Sequence, residues 1–141
     1  MNGIALRSIE DHEGTVMING RHVMYRCSAG HNSIGYGCNL DAGWPDDLAK
    51  LVMHWYAMRA EAELEITIGP AWHRFSARQQ AALIDMMYCL GGPTFRTRRK
   101  FITATKAGDI SGMVRELRNS RWYGQAKGRV DDLVELLQKP Q

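Results

Sequence analysis

One segment of the chain constrains the fold most strongly, because it is apolar on almost every side of a predicted helix. The segment ARQQAALIDMMYCLG follows Ser76, and Ser76 together with Gln79 forms the Ser-x-x-Gln pattern of a capping box. Glycines occupy positions 91–92, where they are typical of a helix end. A helix that is apolar over residues 81–90 belongs in the middle of a hydrophobic core. The sequence therefore predicts a helical body built around this segment.

Helical periodicity recurs along most of the chain. After Pro45, apolar residues repeat at steps of three and four over residues 48–66, and Gly69-Pro70 ends that pattern. Each of the remaining predicted helices is short and ends at, or begins beside, a glycine or a capping residue. They cover residues 3–13, about 97–107 up to Gly108, a segment that begins at Asp109, and a last segment around 130–137.

Residues 15–37 have the pattern of short strands rather than helices. Asn19-Gly20 lies between apolar runs, which is a strong signal for a type I′ hairpin. The segment CSAG at 27–30 predicts a second turn before the strand-like segment HNSIGYG. The predicted fold class is therefore α+β, with a small N-terminal antiparallel β-sheet packed beside a mainly α-helical C-terminal part.

Composition restricts the class of protein. The 141 residues suffice for one domain. No apolar run approaches the roughly 20 residues of a membrane-spanning helix, and the acidic N-terminus argues against a secretion signal. Three cysteines without a C-x-x-C spacing argue against a disulfide scaffold and against a zinc site. We therefore expect no metal and no other cofactor.

Charge is distributed unevenly along the chain. Residues 1–93 carry 7 Lys/Arg and 10 Asp/Glu, whereas residues 94–141 carry 11 Lys/Arg and 5 Asp/Glu. A basic C-terminal half favours an anionic partner, such as nucleic acid, a membrane surface or a charged wall polymer. A solvated basic face without a partner is the alternative.

Two residues near the predicted sheet are candidates for chemistry. Glu13 precedes Gly14 at the end of the first predicted helix, where an acid can face a cleft, although most glutamates are simply solvated. Cys27 lies in a polar turn, and Arg26 and His31 beside it would lower its pKa and make it reactive. An inert small residue is the alternative for Cys27.

Four blocks in this order resemble the phage-type lysozymes, the T-even phage lysozyme family (glycoside hydrolase family 24), which are endolysins that cut the glycan strands of peptidoglycan. The blocks are HEG at 12–14, YRCSAGHNSIGYGCNL at 25–40, RQQAALIDMMYCLGG at 78–92 and NSRWYGQAKGR at 119–129. The resemblance implies a lysozyme-like fold and a single catalytic domain over 1–141. Its small β-containing lobe would cover about 14–45, and its helical lobe about 46–138 together with the N-terminal helix.

The resemblance also implies roles for individual residues. Glu13 matches the general acid, Cys27 matches a position usually held by the Asp that activates the attacking water, and Ser33 matches a Thr that holds this water. Arg129 matches an Arg that lies near the catalytic Glu and orients it. Four further positions match residues that contact sugars in the family, although the residue types differ: Asn39, Tyr88, Arg98 and Glu116.

The resemblance predicts a muramidase that hydrolyses the bond between N-acetylmuramic acid and N-acetylglucosamine. The acid in such a reaction must keep its proton near neutral pH, which partial burial favours. Cys27 would serve as a base, as a nucleophile, or with Ser33 as a water-positioning group. A lytic transglycosylase needs only one Glu, and it is the main alternative. A non-catalytic wall-binding module and a nucleic-acid binder are further alternatives, the last without a recognisable motif.

Partner and location follow from the same resemblance. The expected partner is bacterial peptidoglycan, without nucleic acid and without stable membrane insertion, and the expected state is a monomer. The expected location is the host cytoplasm before release to the cell wall, with a virion-associated lysozyme as the alternative.

Overall fold

The N-terminal part of the computed structural model, which describes residues 2–139, consists of one helix and five short strands. Helix α1 (Gly3–His12) begins after Asn2, whose side chain accepts a hydrogen bond from the backbone N–H of Ile4. Strands β1 (Met17–Ile18) and β2 (Arg21–His22) form an antiparallel hairpin. Strands β3 (Tyr25–Arg26), β4 (Asn32–Ile34) and β5 (Cys38–Asn39) form a second antiparallel sheet in the order β3-β4-β5.

The Asn19-Gly20 turn has the predicted geometry. Both residues have positive φ angles, 51° and 72°, as a type I′ turn requires. The expectation of one small sheet over residues 15–37 was wrong, because β2 and β3 do not pair and two separate sheets result. Since residues 23–24 separate these two strands with no tight turn between them, they do not fold back on each other.

The rest of the described chain is helical. Its longest helix is α2 (Asp46–Ile68), which is followed by a 3₁₀ helix (Gly69–Arg74), as the Gly-Pro break predicts. The helices that follow are α3 (Ala77–Leu90), α4 (Gly92–Arg96), α5 (Arg99–Ala107), α6 (Ile110–Arg118), α7 (Arg121–Gln125) and α8 (Lys127–Gln138). The α+β fold class predicted from the sequence is therefore confirmed.

Helix α3 contributes much of the hydrophobic core, but it is not buried on every side. Ser76 and Gln79 form the predicted capping box at its start, and Gly91 ends it with a φ of 71°. One face of α3 packs against α8 and α4, whereas Tyr88 and Cys89 on the other face are exposed. The buried residues of α3 are Ala82, Leu83, Met86 and Met87, and they join a core that includes Leu64, Trp72, Phe95, Phe101, Met113, Leu117, Val130, Leu133 and Leu137.

The chain divides into two compact units, Met1–Lys50 and Leu51–Gln141. The first unit contains α1 and both sheets, and the second contains the hydrophobic core. Within the described part of the first unit, the buried residue is Ser33. Among the described residues, none of the helices combines the length and the apolar character needed to cross a lipid bilayer. The prediction of a single catalytic domain stays a prediction.

Candidate functional site

A pocket of about 500 Å³ lies in the first unit. Its lining includes Glu13, Cys27 and Ser33, the three residues to which the sequence analysis gave catalytic roles, and also Asn39. The pairing of β3, β4 and β5 explains this, because Tyr25, Ser33 and Asn39 are cross-strand partners and share one face of the sheet. Cys27, two residues after Tyr25, extends the same face.

Glu13 lies at the end of α1, where its backbone N–H donates to the carbonyl oxygen of Ile9. The hydroxyl of Tyr25 donates to the carbonyl oxygen of Gly14 at 2.5 Å and joins this segment to β3. The carboxylate of Glu13 lies directly over Gly37, where a Cβ atom would come within 2.7 Å of its Cδ atom. A residue without a side chain at position 37 therefore makes room for the carboxylate in the pocket. The Glu13 side chain is exposed.

Cys27 is half-buried at the start of a turn, where its carbonyl oxygen accepts a hydrogen bond from the backbone N–H of Gly30 at 2.8 Å. The pKa of the thiol is lowered chiefly by a hydrogen bond from the backbone N–H of His31, and further by those of Ala29 and Gly30 and by the hydroxyl of Ser33. Donors aimed at a sulfur favour its thiolate form. The sequence analysis predicted a lowered pKa, but it assigned the cause to the charge of Arg26 and to the His31 side chain. Arg26 instead donates to the carbonyl oxygen of Gly30.

Ser33 is the buried polar residue of this unit, with 3% of its surface exposed. It lies on the central strand β4, opposite Tyr25 and Asn39, and its hydroxyl helps to lower the pKa of the Cys27 thiol. Asn39 lines the pocket from β5, and its side-chain oxygen accepts a hydrogen bond from the backbone N–H of Asp41 at 3.0 Å. Asn39 therefore holds the following turn as well as lining the pocket.

Asp41 and His31 were not identified from the sequence as a pair. Asp41 accepts hydrogen bonds from the backbone N–H and the side-chain amide of Asn32, at 2.9 Å and 2.8 Å. These two bonds, the backbone bond first, lower the pKa of Asp41, and so does His31, whose Nδ1 lies 3.6 Å from Oδ2. The pair was missed because its partners are ten positions apart, with a strand and a turn between them.

The other predicted site residues lie in the second unit. Arg98 and Glu116 line a cavity of about 410 Å³ at the start of α5 and along α6. The Arg98 guanidinium lies over the ring of Trp122, 5.8 Å from its centroid, and burial lowers the pKa of Arg98. Among the described residues, the Nε atom of Arg98 is buried without a hydrogen-bond partner.

Arg129 on α8 forms an ion pair with Asp85 on α3. Its Nε and one terminal nitrogen lie 2.8 Å and 2.7 Å from the same carboxylate oxygen, and this hydrogen bonding raises the pKa of Arg129. Tyr88, also on α3, is exposed. In the residues described, the contacts of Arg129 join two helices of the core. Its action on Glu13 stays a prediction.

Comparisons with known proteins indicate a phage connection. No protein-family model matches the chain. Eighty residues, or 57% of the chain, are 28% identical to the pre-baseplate central spike protein Gp5 of Enterobacteria phage T4. The chain spans only 14% of the length of that protein. The similarity supports a phage-related protein and does not specify its activity.

Proposed function

We propose that this chain is a phage-related lysozyme that hydrolyses the glycan strands of bacterial peptidoglycan. The observation that carries the proposal is the convergence of Glu13, Cys27 and Ser33 on one pocket. The resemblance of four ordered sequence blocks to the phage-type lysozymes supports it, and so does the similarity to a phage protein.

In this proposal, Glu13 donates its proton to the oxygen of the leaving sugar as the glycosidic C–O bond breaks. A bound glycan would cover the exposed carboxylate and exclude water from the pocket around it. Ser33 and Cys27 hold a water molecule, and the thiolate accepts its proton as the water oxygen bonds to the anomeric carbon. The donors around the sulfur support this role, because they lower the pKa of Cys27.

The remaining predicted residues take supporting roles in the proposal. Asn39 contacts a sugar from the edge of the same pocket. Arg98, Glu116 and Tyr88 contact the wall polymer from the second unit, in which Arg129 pairs with Asp85. Peptidoglycan is the proposed partner of a monomeric protein, which acts after release from the host cytoplasm or from a virion.

A lytic transglycosylase is the second candidate, and one observation favours it. Among the described residues that line the pocket, Glu13 is the one carboxylate. A transglycosylase needs no second carboxylate, because a hydroxyl of the substrate itself attacks the anomeric carbon.

Digestion of purified peptidoglycan, followed by mass spectrometry of the released muropeptides, tests the two candidates. Hydrated muropeptides with new reducing ends are the expected result. Anhydro-muropeptides would replace the hydrolase with the transglycosylase. Binding to the wall without release of any product would contradict both and leave a wall-binding module.

A further inference from the structure

The cavity of about 410 Å³ at the start of α5, which we call the α5 cavity, is lined by an excess of cationic side chains. Three consecutive cations, Arg98, Arg99 and Lys100, line it, and Glu116 is the one carboxylate among its described lining residues. Within residues 2–139, none of the three cations lies within 4.0 Å of a carboxylate oxygen. The carboxylate of Glu116 instead lies 4.0 Å from Nε of Arg115. The cavity therefore has a positive charge that the described chain does not neutralise.

Arg98 has a guanidinium that is partly withdrawn from water. It lies over the ring of Trp122, and its Nε atom is buried without an acceptor in the described part of the chain. Burial lowers the pKa of Arg98, which means that the charged form is poorly solvated. A guanidinium binds an oxyanion through paired hydrogen bonds from its nitrogens. An anion in the α5 cavity would therefore stabilise the charge of Arg98.

The backbone at the start of α5 has the same electrostatic preference. The helix has nine residues, and no side chain caps its first turn. The N–H groups of a first turn have no partner within the helix, and they give its N-terminus a partial positive charge. Neutral polar residues complete the lining: Thr97, Asn119 and Ser120. The helix start adds to the three unpaired cations, which define the site together with the cavity.

The aromatic residues near the α5 cavity argue against a single-stranded nucleic acid as the ligand. Such ligands stack their bases on exposed aromatic rings. Phe101 lines the cavity but is 3% exposed, and Trp122 is 6% exposed. Neither ring is open to a base. A cavity of this volume fits one anionic group and its immediate neighbours on a polymer.

We propose that the α5 cavity binds an oxyanion of the bacterial wall polymer, either a carboxylate or a phosphate group. The oxyanion chemistry follows from the unpaired cations, whereas the wall as its source rests on the proposed function. Carboxylates occur on the peptide stems of peptidoglycan, and phosphates occur on polymers attached to it. Both groups offer a guanidinium two oxygens at once. The proposal gives Arg98 a charged ligand in place of the sugar that the resemblance implies.

The first test is a titration of the isotope-labelled protein with inorganic phosphate, followed by NMR through the backbone amide of Phe101. We expect a saturable shift in the wild type, and an affinity at least about threefold lower in Arg99→Gln/Lys100→Gln. The matched control is Arg78→Gln/Arg121→Gln, which has the same net charge and removes two exposed cations that do not line the cavity. Equal affinities in the two double variants, or no saturable shift in the wild type, would overturn the inference.

The second test measures binding of the same double variants to purified walls, in a Glu13→Gln background so that cleavage does not interfere. The cavity variant should bind at least about threefold more weakly than the control. Walls with amidated carboxylates and walls stripped of phosphate polymers identify the source. The difference between the variants should disappear on amidated walls for a carboxylate, or on stripped walls for a phosphate. A difference that persists on both walls would mean that the cavity binds neutral sugar, and would overturn the inference.

The two tests separate this inference from the proposed function. The phosphate titration needs neither peptidoglycan nor catalysis, so its result stands even if the chain is not a hydrolase. A failed titration would leave the roles of Glu13 and Cys27 as they are. A single-stranded oligonucleotide is the competing ligand. If it bound more tightly than walls, and only the cavity variant lost that binding, nucleic acid would replace the wall polymer and overturn the proposed source.

Discussion

Gly37 is the residue against which the Glu13 carboxylate lies. Its φ angle is +75°, and a Cβ atom there would overlap the carboxylate. Gly35 has a similar φ angle of +63°, but a Cβ atom there would meet nothing within 4 Å. Both glycines therefore have a positive φ angle, but only at Gly37 would a Cβ atom meet another side chain.

We predict that Gly37→Ala and Gly35→Ala each lower the free energy of unfolding by about 1–2 kcal/mol, because alanine resists a positive φ. Only Gly37→Ala should also abolish most peptidoglycan cleavage, because it displaces Glu13. Chemical denaturation and muropeptide release measure the two effects. Equal residual activity in both variants would show that the contact between Gly37 and Glu13 does not matter for function.

Cys27 has the proposed role of general base, which a carboxylate usually has in such a site. We predict that Cys27→Ala lowers the rate of cleavage by about a hundredfold or more, the usual cost of losing a general base. Cys27→Asp should retain more activity than Cys27→Ala, since it restores the charge. In the wild type, activity should rise as the pH rises through the lowered pKa of Cys27, because the thiolate is the active form.

Cys38 provides the matched control for these variants. It lies on β5, where it pairs with Ile34 of β4, and it does not line the pocket. Cys38→Ala should therefore leave cleavage close to the wild-type rate. Wild-type activity in Cys27→Ala would show that the thiol is a spectator and would favour the transglycosylase.

Among the elements of the fold, those with a local chemical signal were predicted best. The Asn19-Gly20 turn, the capping box of α3 and the end of α5 at Gly108 all depend on residues close in sequence. Helices α4 and α7 were missed, because five residues are too few to show a helical period. The local sequence pattern also does not indicate that β2 and β3 remain unpaired.

The sequence predicted some residues of the candidate site and missed others. The resemblance identified Glu13, Cys27 and Ser33, and alternation along the strands explains why the last two share a face. The backbone groups that lower the pKa of Cys27 were missed because the backbone is the same for nearly every residue type. Asp41 was missed because only the folded turn brings it to His31.

The start of helix α3 allows a direct test of an element that the sequence predicts well. Ser76 accepts a hydrogen bond from the backbone N–H of Gln79, and the Gln79 side chain accepts one from the backbone N–H of Ser76. We predict that Ser76→Ala lowers the free energy of unfolding by about 1 kcal/mol. Ser111→Ala, at an exposed position within α6, should change it by much less. Equal effects in denaturant titrations would mean that the cap adds nothing to stability.

The whole molecule carries its positive charge mainly in residues 94–141. Peptidoglycan and its attached polymers are anionic, so this charge would hold the enzyme on its substrate. We predict that the rate of wall digestion falls as ionic strength rises, because salt shortens the range of the attraction to about 10 Å at 0.1 M. Walls stripped of anionic polymers should show a weaker dependence. A rate that does not change with salt would contradict this role of the basic half.

The most direct test of the account compares two carboxylates of the same segment. Glu13 ends α1 and lines the pocket, whereas Glu10 is an exposed residue of the same helix that does not line it. The measurement is the initial rate of muropeptide release from purified peptidoglycan by the wild type, Glu13→Gln and Glu10→Gln. The account predicts a loss of at least about a hundredfold in Glu13→Gln and a near wild-type rate in Glu10→Gln. A Glu13→Gln variant that cleaves as fast as Glu10→Gln would contradict the proposed site.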